Sequence, residues 1–329
     1  MLFRGRGSGA RMAARALGSQ QKPVDELFIQ NEAVSLCLLV NRRARTMRVV
    51  DFRAGASTAK RQFVQSLAQR EGVQKIYTLV ERDEVQTWLK LGFSKEGNIP
   101  GFYKRSDAFL LGSPVESNRP QRDDQKSRDE PPVESETRLV AAQPIGAGQA
   151  LTAAQERMER TLAAAKRAVR DMTEKSVQAR VANLDEQDAR KAVAAALRSG
   201  RALTAFESFG RDVERRYVLV STRGGLEFVA STESQACFCN AYLELLQSPR
   251  SDSEKAATVG GLRALCDRLL SEEVVSCFSL APSDDVALAI AFLYNGFRRT
   301  GLLVNHLATA GRRKDAILWS RKLAAPSDE

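Results

Sequence analysis

The chain has 329 residues, 43% of them apolar and 27% charged, with a formal net charge of +10. That length exceeds one typical domain and predicts two, each long enough to bury its own core. No run of roughly 18 apolar residues occurs, which excludes a membrane-spanning helix, and the positive balance favours an anionic partner such as nucleic acid, anionic lipid or a phosphorylated cofactor.

Residues 1–22 carry five Arg or Lys and no acid. They read as a disordered basic tail, although an Arg-rich, acid-free start is also how organelle transit peptides look. Three short segments follow, "ELFIQ", "VSLCLLVN" and "TMRVVDF", each β-branched or aromatic and bounded by polar turns, so three strands are expected. "STAKRQFVQSLAQREG" has an apolar helical face at Phe63, Leu67 and Ala68, a cap at Ser57 or Thr58 and a stop at Gly72. "KIYTLV" is a buried strand, "RDEVQTWLKLGF" a helix capped by Asp83 and stopped by Gly92, and "GNIPGFYKRSDAFLL" supplies one or two closing strands.

Residues 113–140 hold almost no apolar side chains over most of their length, and four prolines lie before Thr137. They cannot bury enough surface to offset ordering entropy and are expected to be a disordered linker. From Leu151 to Ser199 the sequence reads as helical. Leu151, Ala154, Met158, Leu162, Ala165, Val169 and Met172 form one stripe of small and apolar residues, suited to packing on the second domain or to holding a protein partner. "RYVLVST", "LEFVAST", "AYLELLQ" and "VVSCFSL" then read as strands, with helices at "SEKAATVGGLRALCDRLLSEE" and "SDDVALAIAFLYNGF" and a last strand at "KDAILWS".

The element order β-β-β-α-β-α-β therefore occurs twice. The two copies also share a motif, Gly92-Phe93 with Gly97 and Gly296-Phe297 with Gly301, each followed by a turn-rich stretch and Asp-Ala. An internal repeat of one small domain accounts for both. The five cysteines, Cys37, Cys237, Cys239, Cys266 and Cys277, are odd in number and irregular in spacing. They read as reduced thiols of a cytoplasmic protein. A metal at Cys237 and Cys239 would need further ligands, and His306 is the sole histidine, so no metal site is expected.

The element order and the segments "ERDEVQTWLKLGF" (Glu81–Phe93) and "DVALAIAFLYNGF" (Asp285–Phe297) resemble the GNAT (Gcn5-related N-acetyltransferase) superfamily, whose corresponding helix reads roughly N-x-x-A-x-x-L-Y-x-K-x-G-F. The first copy is most similar to β-lysine N-acetyltransferase-like members through "GNIPGFYKRSDAFLL". The resemblance covers about Glu26–Gly112 and Arg216–Lys322. It implies an α/β (α+β) chain with two mixed-sheet domains, a truncated one over residues 23–112 and one over 141–329 that includes the helices of 151–199. It also implies acetyl-CoA or another acyl-CoA as cofactor and a small-molecule or protein amine as acceptor.

Such a site needs backbone amides at a helix start to face the cofactor's pyrophosphate. The first copy offers Arg53, Gly55, Ala56, Ser57 and Thr58 between strand and helix, with Lys60 or Arg61 near. The second offers Gly260 and Gly261, with Val259 and Ala256 departing from the family's Q/R-x-x-G-x-G/A pattern. The family's acid is a Tyr four residues before the Gly of Gly-Phe, and here those positions hold Trp88 and Phe292. Glu81 or Glu84 are candidate bases and Tyr103 or Tyr77 candidate acids, with Glu81 and Tyr103 carried forward. His306 reads as a polar surface residue.

Three functions follow: an N-acyltransferase, a catalytically inactive scaffold or ligand-binding relative, and a basic adaptor for nucleic acid or membrane surface. The aromatic content of 6% and the lack of a nucleic-acid motif rank the last reading lowest.

Overall fold

The computed structural model describes residues 24–31, 34–51, 55–103, 106–115, 145–172, 177–235 and 238–324. The basic tail, Arg53, Cys237 and nearly all of the expected linker lie outside them. The first half comprises β1 (Val24–Gln30), β2 (Ser35–Asn41), β3 (Thr46–Asp51), α1 (Thr58–Arg70), β4 (Lys75–Val80), α2 (Val85–Lys90), β5 (Ser94–Ile99) and β6 (Ala108–Pro114). The second half opens with α3 (Ile145–Asp171), β7 (Ala179–Leu184) and α4 (Glu186–Arg198). It continues with β8 (Glu214–Thr222), β9 (Glu227–Ser234), β10 (Asn240–Leu245), α5 (Asp252–Ser271), β11 (Ser276–Pro282), α6 (Val286–Tyr294), β12 (Arg298–Thr309) and β13 (Arg312–Lys322). The fold is mixed α/β, as expected.

Three expectations need correction. The stretch 151–199 is not helical throughout, because "ARVANL" forms the edge strand β7, paired antiparallel with β8. Its alternating exposure fits a strand covered on one face only. The expected cap of α2, Asp83, is displaced by one residue: the N-cap is Glu84, with no side-chain cap bond. Ser113 and Pro114, expected in the linker, belong to β6.

Among the described residues the two halves share one sheet of 13 strands in the order β1-β2-β3-β4-β6-β5-β12-β13-β11-β10-β9-β8-β7. They meet where β5 and β12 run antiparallel, with Gly97 opposite Gly301. A Cβ on Gly97 would lie 2.9 Å from the Gly301 Cα, and one on Gly301 would lie 2.6 Å from the Glu96 carbonyl oxygen. Only glycine permits this approach.

The other half of the shared motif has a second cause. Gly92 (φ 87°) and Gly296 (φ 75°) end α2 and α6 in the left-handed conformation. The amides of Phe93 and Phe297 then reach back to the carbonyls of Trp88 and Phe292, at 3.1 and 3.0 Å. This is the Schellman arrangement, whose usual companion is an apolar contact between the same two residues. Here each pair packs edge to face, at 4.8 Å for Trp88–Phe93 and 5.1 Å for Phe292–Phe297. The repeated Gly-Phe-x-x-x-Gly thus caps a helix, staples it and opens the seam between the halves.

Helices α1 and α2 cover one face of the first half, over Val64, Leu67, Ile76, Val80 and Leu111. In the second half the stripe of α3 is buried at Ala154, Met158, Leu162 and Ala165 within the core that includes α5 and α6. Leu151, at the start of the same stripe, remains 43% exposed. A third core belongs to both halves: Tyr77, Leu79, Ile99 and Phe102 pack with Phe209, Tyr242, Phe278 and Leu303. No helix is long and apolar enough to cross a membrane among the described residues.

Candidate functional site

Strands β3 and β4 run parallel and pair from Thr46–Lys75 to Arg48–Tyr77, then part. Strands β10 and β11 do the same after Tyr242–Phe278. Each half therefore contains a parallel pair that opens toward its C-terminal ends, the usual place for a ligand in such sheets. The two openings differ in what stands at their mouths.

In the first half, Gly55, Ala56, Ser57 and Thr58 are all exposed between β3 and α1. The Ser57 hydroxyl caps α1 by accepting from the Lys60 amide at 3.1 Å, while the amides of Thr58 and Ala59 have no partner within the helix. The segment is fixed from below. The Lys60 ammonium meets Asp51 at 2.6 Å, with both side chains about 5% exposed or less, and donates to the Gly55 carbonyl at 2.8 Å. Lys60 was expected to lend a charge to an incoming anion. It is instead spent on Asp51, because burying an ammonium requires a counter-ion. Arg61 stays exposed.

The acid–base candidates gather at the same end. Glu81 is exposed just past β4. Burial raises the Glu84 carboxyl above its ordinary range against a backbone hydrogen bond at Glu81 that lowers it, and the charges of Asp83, Asp51 and Glu81 add to the rise. Tyr103 sits in the β5–β6 hairpin, where burial chiefly pushes its phenol to about 12, with Arg48 lowering it and Glu81 and Glu84 raising it. The hairpin is held by the Gly101 amide on Asp107 at 2.9 Å and the Tyr103 amide on the Ser106 carbonyl at 3.0 Å. It is also held from the second half, where the Asn240 side chain donates to the Phe102 carbonyl at 2.6 Å and Phe238 packs on Tyr103 at 5.3 Å. Sequence reasoning missed Asn240 and Phe238, since only the seam brings them here. Tyr77, the other acid candidate, is buried in the shared core beside His306 and Phe209.

The second half is filled. Ser251 and Glu254 form a capping box at the start of α5, and the Glu254 carboxylate accepts from the Arg250 amide at 2.6 Å and pairs with Arg201 at 3.3 Å. A carboxylate of the chain thus occupies the place where an anion would sit. Gly260 and Gly261 lie inside α5, not before it. A Cβ at Gly260 would strike the Val177 carbonyl oxygen, and one at Gly261 would strike the Phe228 ring. Their role is close packing, which corrects their assignment as phosphate-binding glycines.

The first-half mouth fits a phosphate-bearing group: Gly55 to Thr58 are small and exposed, and among the described residues the cap of α1 is a hydroxyl, not a carboxylate. The second-half mouth does not. The remaining features of the first half are tighter. The Thr78 hydroxyl bonds the Val49 carbonyl at 2.8 Å across the parting strands. Trp88 is 2% exposed. The cleft between α1 and α2, lined by Lys60, Arg61, Val64, Gln65, Trp88, Leu91 and Phe93, encloses about 230 Å³ including space open to solvent.

His306 corrects another expectation. It lies on β12, is 6% exposed, and meets the Tyr77 ring at 4.9 Å. Among the described residues no three His, Cys, Asp or Glu side chains are grouped to hold a metal.

No protein-family profile matches the chain. No curated protein matches it either. Among solved structures, the spermidine N-acetyltransferase of Vibrio cholerae in complex with CoA and spermine is similar at 14% identity, over 45% of this chain and 97% of that one, with a TM-score of 0.37. A ribosomal-protein alanine N-acetyltransferase of Escherichia coli is similar at 17% identity, over 46% and 98%, with a TM-score of 0.34.

Proposed function

We propose that this chain is an acyl-CoA-dependent N-acyltransferase of the Gcn5-related type, with one working site, at the C-terminal ends of β3 and β4. The observation that carries this reading is convergence. The first-turn amides of α1 not engaged by the Ser57 cap, the carboxylates Glu81 and Glu84, and the Tyr103 phenol stand at one end of one strand pair, with Glu81 acting on Glu84 and both acting on Tyr103. The first-turn amides and the small residues Gly55 to Thr58 receive the pyrophosphate, where the dipole of α1 favours negative charge. Glu84, held above the usual carboxylate range, accepts the proton that an acceptor ammonium must lose, and Glu81 attracts that cation to the mouth. Tyr103 keeps its proton across the physiological range and holds it for the leaving thiolate, the duty left vacant by Trp88. When bound, the acyl-CoA supplies the acyl thioester.

A second reading, a catalytically inactive scaffold of the same fold, is favoured by the bond from the Thr78 hydroxyl to the Val49 carbonyl, which ties β3 and β4 together where a cofactor arm would enter.

Thermal melting of the full chain with and without millimolar acetyl-CoA separates the two. Binding at about a hundred times the dissociation constant adds roughly 2.7 kcal/mol of stability, and Gly55→Val, if it melts normally alone, should remove that gain. Tyr103→Phe should then lower kcat by about 10²–10⁴-fold with KM little changed. No acetyl-CoA shift in the wild-type chain would leave the scaffold reading standing.

A further inference from the structure

The end of the sheet opposite the candidate site carries a feature that acyl transfer does not use. The β2–β3 turn, Arg42-Arg43-Ala44-Arg45, meets the β12–β13 hairpin, Arg312-Arg313-Lys314, across the boundary between the halves. Arg313 bridges them. Its guanidinium donates to the carbonyl oxygens of Ala44, Arg45 and Asn305. All three acceptors are neutral. Burial, then the neighbouring charge of Arg45, brings the Arg313 pKa down to about 10.

The surrounding cations have counter-ions. Arg42 pairs with Asp25 and Glu71, Arg43 with Glu207, and Lys314 with Asp284. Among the described residues no carboxylate pairs with Arg45, Arg312 or Arg313, and Arg45 and Arg312 are exposed. Arg45 does not escape by swinging its turn outward. It holds a left-handed φ of 50°, uncommon for a residue with a side chain. Its carbonyl is pinned by the amides of Gln74 at 2.8 Å and Lys75 at 3.3 Å. The Arg313 guanidinium and the charge of Arg45 thus lie on adjoining turns fixed by backbone bonds, with no described carboxylate paired to either, an arrangement that a bound anion would stabilise.

We propose that the turn around Arg45 and the hairpin around Arg313 form a binding site for an oligophosphate, a compact ligand with two or three linked phosphate groups. Guanidinium forks match pairs of phosphate oxygens, and the two short turns concentrate charge over a small area. Single-stranded nucleic acid would also want exposed rings on which to stack its bases. The exposed aromatic ring among the described residues, Phe28, lies on β1 with Arg211 over one face at 4.8 Å, not on either of these turns.

Inorganic tripolyphosphate, titrated calorimetrically into the full chain, tests the site. Saturable binding that weakens with salt is expected. Arg45→Gln and Arg312→Gln should each reduce affinity about tenfold, the loss of one charge-assisted contact. Arg198→Gln, which removes an exposed cation at the end of α4, should bind as the wild type does. Without the probe, Arg45→Gln should melt no lower than wild type, since it relieves repulsion on Arg313; a merely structural Arg45 would melt lower. ATP titrated in parallel identifies the source of the phosphates: tighter binding than tripolyphosphate assigns the site to a nucleotide, equal or weaker binding to a free oligophosphate. Absence of saturable binding of both probes, or affinities unchanged in both arginine variants, overturns the proposal.

Discussion

His306 shows how burial redirects a single residue. Its imidazole is enclosed at the seam, and burial first, then the charges of Lys75 and Arg313, lower its pKa to about 3. The folded chain therefore keeps it neutral, while the unfolded chain protonates it near pH 6.5. Its contribution to stability is complete above about pH 6.5 and is lost as pH falls toward 3, by about 1.4 kcal/mol for each pH unit. Urea titrations at pH 7, 6, 5 and 4 should show wild type losing stability faster than His306→Gln, and parallel curves would refute this account. In the sequence His306 looked like a surface residue, because an isolated histidine in "LLVNHLATAG" gives no hint that β12 lies against the other half.

At the scale of elements, caps and close contacts outweigh propensity. Helix α5 contains Gly260 and Gly261, poor residues for a helix interior by about 1 kcal/mol each relative to Ala. They persist because the 177 segment and Phe228 press against them. Gly260→Ala should therefore destabilise the protein, the overpacking cost of about 1–3 kcal/mol exceeding the gain in propensity. The urea midpoint measures this, and a raised midpoint would mean that Val177 yields freely. The same two glycines misled the sequence reading, since glycine next to a helix start and glycine buried inside a helix are written alike. β7 was missed for a related reason: its Ala- and Arg-containing segment is no worse a helix than a strand, and only pairing with β8 decides the matter.

At the scale of the molecule, bonds across the seam join the two halves. Gly97 meets Gly301, and the segment after α4 reaches across, with Glu207 paired to Arg43 and the Phe209 carbonyl accepting from Arg48 at 2.6 Å. Beneath it, Arg215 is paired with both Glu233 and Glu244. Removing one member of so buried a set leaves a charge uncompensated, typically at a cost of about 3–5 kcal/mol. Cleavage at a protease site introduced between residues 120 and 140 should accordingly leave two fragments that co-elute and melt in one transition. Separate elution of the fragments under native conditions would show the seam to be weak.

The amino-acid sequence by itself determined the mixed α/β class, the twofold repeat of elements, most strands and helices, and the loop from Gly55 to Thr58. These depend on local signals: alternation, helical stripes, caps and turn residues, each readable within about a dozen positions. The tertiary structure alone decided that the repeats share a sheet, that Lys60 is neutralised by Asp51, that Glu254 fills the second mouth, and that Asn240 steadies the Tyr103 hairpin. Each of these joins elements across space, where desolvation and close approach select the partner, and sequence spacing carries no record of either.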